Sequence, residues 1–185
     1  GVEFRYGTCV DRLVVRNGRC AGVSIKGEEL LADAVVAAVG HSSRDLLEMV
    51  GEVVELERKT FAVGMRVEHP QSLINERQYH ELAGYAGKSL PVADYSLQTS
   101  AWDRPVFSFC MCPGGQIVPT SLTPHELCVN GMSFSKRNSK FANAAIVTYV
   151  TPDDLDDLGF HGPLGGFDLQ RQLEREAARL GGGDL

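Results

Sequence analysis

The chain has 185 residues, 43% of them apolar and 23% charged, which is the balance of a soluble globular protein with core enough for one large domain or two small ones. The formal net charge of -6 and a pI of about 5.4 exclude a nucleic-acid binder that works through a basic face. No run of about 18 apolar residues occurs, so no membrane span is expected.

Five cysteines (Cys9, Cys20, Cys110, Cys112 and Cys128) are odd in number and irregular in spacing. That argues against a secreted disulfide framework and for a reducing, cytoplasmic-type compartment.

Val2–Tyr6 has the β-branched and aromatic character of a short strand, and Thr8–Arg16 reads as a second. Asn17-Gly18 is a strong hairpin signal, because a type I′ turn needs positive φ at both central residues. Cys20–Lys26 then returns, Gly27-Glu28-Glu29 turns again, and Leu30–Asp33 starts a fourth strand. This is a β-meander. Ala34–Val39 (AVVAAV) is continuously apolar, the pattern of a parallel strand buried on both faces. Gly40-His41-Ser42-Ser43 follows, and Arg44–Val50 has helical spacing with Ser42 or Ser43 as N-cap. A strand, a Gly turn and a helix start together suit an anion or ribose contact; an ordinary strand–helix turn has the same pattern.

Glu52–Lys59 is a charged connector. Phe61–His69 reads as a strand, Gln71–His80 as a short helix, and Glu81–Leu90 as a Gly-containing loop. Val92–Thr99 and Val106–Met111 read as strands. A Cys-Pro-Gly-Gly turn follows at 112–115, with Gln116–Thr120 and Leu127–Asn130 as partner strands. Ser133–Asn143 is a polar loop, and Ala144–Val150 an apolar strand. Thr151-Pro152-Asp153-Asp154 has cap residues ahead of a Gly-rich break. Asp168–Leu180 is the clearest helix, with Leu169, Leu173, Ala177 and Leu180 on one stripe and Gly181–Gly183 ending it.

Both ends read as cut: Gly1 leads at once into strand-like sequence, and Leu185 stops where another element is due. The expectation is an internal piece of a larger protein. It has α/β class with α+β character and is divided at 1–58 and 59–185.

The segments GHSSRDLLEMV (40–50), FAVGMRVEHPQSLIN (61–75), ADYSL (93–97), SFCMCPGGQIVP (108–119) and NGMSFSKRNSKFANAAIVTYV (130–150) resemble the bacterial and plastid FAD-dependent dehydrogenase-like family of NAD(P)/FAD-dependent oxidoreductases. The resemblance covers nearly the whole chain. It implies an FAD-dependent oxidoreductase that moves a hydride by way of the flavin, with FAD as cofactor, NAD(P)H as a possible electron donor and a small molecule as substrate. The location implied is cytoplasmic, or the plastid stroma.

Residues 1–58 would be the end of an FAD-binding domain of the two-dinucleotide-binding type, and 59–185 an inserted substrate domain with a mixed sheet. The pyrophosphate-seating Gly-x-Gly-x-x-Gly is absent from this stretch. Most FAD contacts are therefore expected outside it, and the isolated piece is expected to be inactive. By the same resemblance Val10 meets the adenine edge and Gly40 stands at the close-approach glycine. His41 and Ser42 meet ribose or phosphate, and Pro113, Gly114 and Gly115 form a turn beside the flavin ring.

For catalysis the candidates are Cys110, Cys112 and His69. Cys110 and Cys112 are two apart, so on a regular strand they share a face. That placement fits a redox couple, a metal site with His125 and Cys128, or plain core and turn residues. The metal reading is the weakest, since C-x-C…H-x-x-C matches no zinc spacing, and no metal is expected. His69 fits a proton donor or a structural histidine. Arg66 fits an acidic substrate or a salt bridge to Glu68. Ser133, Ser135, Lys136, Arg137 and Asn138 fit a substrate mouth or a solvated loop. A non-catalytic module that keeps the fold is the alternative to the enzyme.

Overall fold

Asn17 and Gly18 stand at φ 55° and 72°, and the strands on either side pair with Arg16 opposite Arg19, so the expected type I′ hairpin forms. The computed structural model describes residues 1–40, 42–121 and 123–182. It divides into two units, Gly1–Arg58 with Gly162–Phe167, and Lys59–His161 with Asp168–Leu185.

In the first unit, strands β1 (Arg12–Arg16), β2 (Arg19–Ile25) and β3 (Glu28–Leu31) form an antiparallel meander in the order β1-β2-β3. The second turn falls at Lys26-Gly27, both at positive φ, one residue earlier than the Gly27-Glu28-Glu29 reading. Val14 and Ser24 are buried. Helix α1 (Arg44–Gly51) follows, with Ser43 at its N-cap position.

Two expected strands of this unit are absent. Val2–Tyr6 has no ladder partner among the described residues, and Phe4 and Tyr6 stack on each other in solvent. Ala34–Val39 is extended but unpaired, with Val36 87% exposed. An apolar run needs neighbours on both sides and both faces to become a buried parallel strand. None stands beside it among the described residues.

The second unit is built on a four-stranded sheet of β4 (Phe61–Pro70), β5 (Gln98–Ala101), β6 (Arg104–Cys112) and β9 (Phe141–Val150), in the order β4-β9-β6-β5. A ribbon of β7 (Gly115–Pro119) and β8 (Val129–Ser133) stands beside it. All strand pairs in these sheets are antiparallel. The mixed sheet expected here is therefore an antiparallel one, and the class is α+β with few helices. β5 and β6 join through Trp102-Asp103, both at positive φ.

Between Val92 and Leu97 the expected strand is extended chain; pairing begins at Gln98. The stretch 80–90 is a 3-10 turn (His80–Tyr85) with one parallel bridge, Ala86 to Leu90, and not plain loop. β9 starts three residues before the expected Ala144, because the ladder to β4 runs on through Asn143 to Phe141.

The core of the unit is Val150, Leu155 and Leu169, with Phe61, Val63 and Phe160 packed against it. Leu155 lies on helix α3 (Pro152–Asp157), which a capping box opens: Asp154 N–H donates to Thr151 Oγ1 at 3.2 Å, and Thr151 N–H donates to Asp154 Oδ2 at 2.8 Å. Leu169 lies on helix α4 (Gly165–Leu180), three residues longer at its start than the apolar stripe marks. Helix α2 (Gln71–Tyr79) has no apolar stripe, and Gln71 is its one buried residue.

Candidate functional site

The Cys-x-Cys segment forms a β-bulge. Phe109 stands opposite Ala145 and Cys112 opposite Asn143, so Cys110 and Met111 together face the single residue between them. Cys110 takes φ 44° to make the extra step. This corrects the shared-face expectation: Phe109 and Cys112 hold the alternate register positions, and Cys110 falls out of the alternation. Cys110 is exposed and Cys112 half-buried, all five cysteines are free thiols, and the Cys112 thiol donates to the Cys110 carbonyl at 3.3 Å. Among the described residues no group of three His, Cys, Asp or Glu side chains gathers to hold a metal.

Arg66 of β4 ties this bulge down. Its guanidinium donates to Asn143 Oδ1, to the Cys110 carbonyl at 3.1 Å and to Asn130 Oδ1 at 3.4 Å, and it reaches the Cys112 sulfur at 3.8 Å. Gly131 gives it room, since a Cβ there would collide with the guanidinium and with Asn143 Oδ1. Its Nη contacts go to two side-chain amides, a backbone carbonyl and a cysteine sulfur, and the Glu68 salt bridge offered by the sequence does not form. Arg66 positions backbone here and does not meet a carboxylate. Asn143 is fully buried, and its Nδ2 has no hydrogen-bond partner among the described residues.

The Pro113–Gly115 turn is buried. Gly114 sits at φ 56°, and a Cβ on it would run into the Arg137 backbone; one on Gly115 would run into the Met132 carbonyl. The space these glycines leave is filled by the protein's own chain. Gln71, the first residue of α2, holds the turn from the other side. Its Oε1 accepts from Gly114 N–H at 2.7 Å, and its Nε2 donates to the Ala93 carbonyl at 2.8 Å and to Asn75 Oδ1 at 3.1 Å. Asn75 Oδ1 also accepts from Ala93 N–H at 3.2 Å. The polar helix α2 is thus fastened by amides where an apolar stripe is missing.

Next to this clamp lies an open, shallow groove of about 450 Å³. His69, Tyr95, Ile74, Arg77, Gln78, Asp94 and Leu97 line it, and the lining surface is mostly apolar. His69 Nε2 is 2.9 Å from the Tyr95 hydroxyl, and its Nδ1 is 3.3 Å from the Pro70 carbonyl. A carbonyl only accepts, so in the neutral ring Nδ1 carries the proton and Nε2 accepts from Tyr95. Partial burial pushes the Tyr95 phenol up from its usual range, which keeps that donor protonated.

In the first unit, Val10 is half-buried and Ser42 exposed. Gly40 has φ 75° with no atom within 4 Å of where a Cβ would stand, so its backbone is open to approach. The Ser43 hydroxyl donates to the Val39 carbonyl at 3.1 Å and does not cap α1. His41 lies outside the described residues. The 134–138 loop is exposed, and Arg137 within it takes φ 47° to place its carbonyl against Gly114.

Sequence reasoning passed over Gln71, Asn75, Tyr95 and Asn143. Asn143 left a signal, as a lone amide inside an apolar strand. Gln71 and Tyr95 left none, because their roles depend on partners about 20 to 40 residues away.

Residues 60–185 match the family described as FAD-dependent protein, C-terminal domain-like. Over its whole length the chain is 38% identical to an uncharacterized protein of Clostridium beijerinckii, of which it spans 34%. Over 51 residues (28% of the chain) it is 51% identical to the D-amino acid dehydrogenases of two strains of Cereibacter sphaeroides, covering 12% of each. With a match spanning most of its length, the chain belongs to the FAD-dependent protein, C-terminal domain-like family.

Proposed function

We propose that the complete protein carrying this chain is an FAD-dependent oxidoreductase that moves a hydride between a small-molecule substrate and the flavin. The observation that carries this reading is the family match over 60–185. The D-amino acid dehydrogenases support the dehydrogenase direction, but a match over 12% of their length does not bring their substrate with it.

Gly40 fits a close approach by the cofactor, with its positive φ and open Cβ side. Val10 and Ser42 are the proposed neighbours of the adenosine part; His41, expected with them, lies outside the described residues. Pro113, Gly114 and Gly115 enter as the support of a ring-facing wall, since the Cβ sides of the two glycines are filled by Arg137 and Met132 backbone. The flavin, when bound, supplies the electron chemistry. The chain's part is to place the substrate and hold its proton, and His69 Nε2, accepting from Tyr95, is the proposed proton-holding atom.

The test is to isolate the complete protein and release its chromophore. Tightly bound FAD that a substrate bleaches anaerobically is the expected result. A colourless, FAD-free protein that takes up no added FAD rejects the reading and leaves a non-catalytic module of the same fold.

A further inference from the structure

Ala34–Val39 (AVVAAV) is apolar at every position, yet Val35 alone of its six residues is half-buried, and Val36 is 87% exposed. No strand pairs with it among the described residues. In a strand, Ala34, Val36 and Ala38 would point to one face and Val35, Ala37 and Val39 to the other, so both faces are apolar. The rest of the first unit does not cover them. Val14 is its one buried apolar side chain among the described residues, α1 has no buried residue, and Val2, Phe4, Tyr6 and Leu31 are exposed as well.

The pattern of the run says what would cover it. A strand with one wet face alternates apolar and polar residues. A run that is apolar on both faces belongs inside a sheet, with parallel neighbours and a packed layer on each side. A second copy of the chain does not meet this demand: a two-fold axis sets a strand antiparallel to itself and adds a neighbour at one edge only. Polypeptide of the same protein beyond these residues does meet it. The chain spans 34% of the Clostridium beijerinckii relative, so about two-thirds of that protein is left to supply strands and layers.

We infer that Ala34–Val39 is an interior strand of a sheet that the rest of the same polypeptide completes, with a neighbouring strand at each edge and Val35, Val36 and Val39 buried between layers. The docking surface is thus a strand's backbone and both of its faces, and the partner is β-sheet from the same molecule. The pairing needs no bound flavin, so it stands or falls apart from the oxidoreductase reading.

Hydrogen–deuterium exchange of the complete protein, read by peptide mass, tests this. The amides of 35–39 are expected to exchange at least about a hundredfold more slowly than in an unfolded peptide of the same sequence, at a rate that dilution does not change. Val36→Cys gives a second readout. Its thiol, identified by peptide mass, is expected to react with a maleimide at least about tenfold more slowly in the native complete protein than in urea. Exchange at the unfolded rate, or native labelling as fast as labelling in urea, overturns the inference. Protection that vanishes on dilution overturns it in favour of a second copy. Visible absorbance of the same samples reports flavin separately, so failure of the oxidoreductase reading is told apart from failure of this one.

Discussion

Gln71 Oε1 accepts the backbone N–H of Gly114 at 2.7 Å, in a buried contact that spans 43 residues of sequence. One amide thereby links the start of α2, the Pro113–Gly115 turn and Ala93. Replacing it with leucine keeps the volume and strands the Gly114 N–H and the Ala93 carbonyl. Gln71→Leu is expected to cost about 3 kcal/mol, two buried groups left unsatisfied. Urea denaturation of the complete protein reads this directly, and a loss below 1 kcal/mol would mean that water or another side chain takes over both bonds.

Gly114 and Gly40 both have positive φ, yet they should respond differently to alanine. At Gly40 the Cβ enters open space, and only left-handed strain of about 1 kcal/mol is expected. At Gly114 the Cβ also strikes the Arg137 backbone, so the loss should be on the order of 3 kcal/mol. Equal effects in thermal or urea melts would show that the 137 loop gives way without cost.

Cys110 holds a left-handed conformation at φ 44° with an exposed side chain. Glycine takes that conformation freely, so Cys110→Gly is expected to be neutral or to stabilise by about 1 kcal/mol. If the thiol takes part in a redox cycle, the same variant slows flavin reduction while stability rises. Parallel stability and stopped-flow measurements separate the two.

Asp154 is held below the usual carboxylate range by Arg104, by the Thr151 N–H and by the Thr151 hydroxyl. A folded-state pKa below the unfolded one means that the folded protein takes up this proton less readily. The contribution is therefore complete above the unfolded value of about 3.9 and is lost as pH falls through it toward the folded value. Melting temperature should fall modestly below about pH 4, since solvent screens this ion pair, and Asp154→Asn should remove that part of the fall while lowering stability slightly at neutral pH. An unchanged slope in Asp154→Asn would assign the acid sensitivity to other carboxylates.

Local chemistry was readable in the chain wherever a residue's conformation depends on its neighbours. Asn17-Gly18 set the first hairpin and the Leu169 stripe set α4, whereas Thr151 to Asp154 carry cap residues but no expectation of the short helix α3 ahead of the Gly-rich break. The family was legible for a related reason, because the CMCPGG and NGMSFSKRNSKFANAA segments keep their pattern in the string itself. Ala34–Val39 shows the limit of pattern: its composition is that of a buried strand, but burial depends on what lies beside it.

Only the tertiary structure decided the details of the site. The sequence placed Cys110 and Cys112 on one face because strands alternate, and a single bulged residue broke that alternation. It offered Arg66 a partner two residues away at Glu68, whereas the guanidinium found Asn143, 77 residues on. It offered His69 as a lone histidine, and the fold gave it Tyr95, 26 residues later. The physical reason is common to all three. Turn and cap preferences are settled by backbone sterics within a few residues, whereas a polar side chain takes the partner that the packed sheet brings to it.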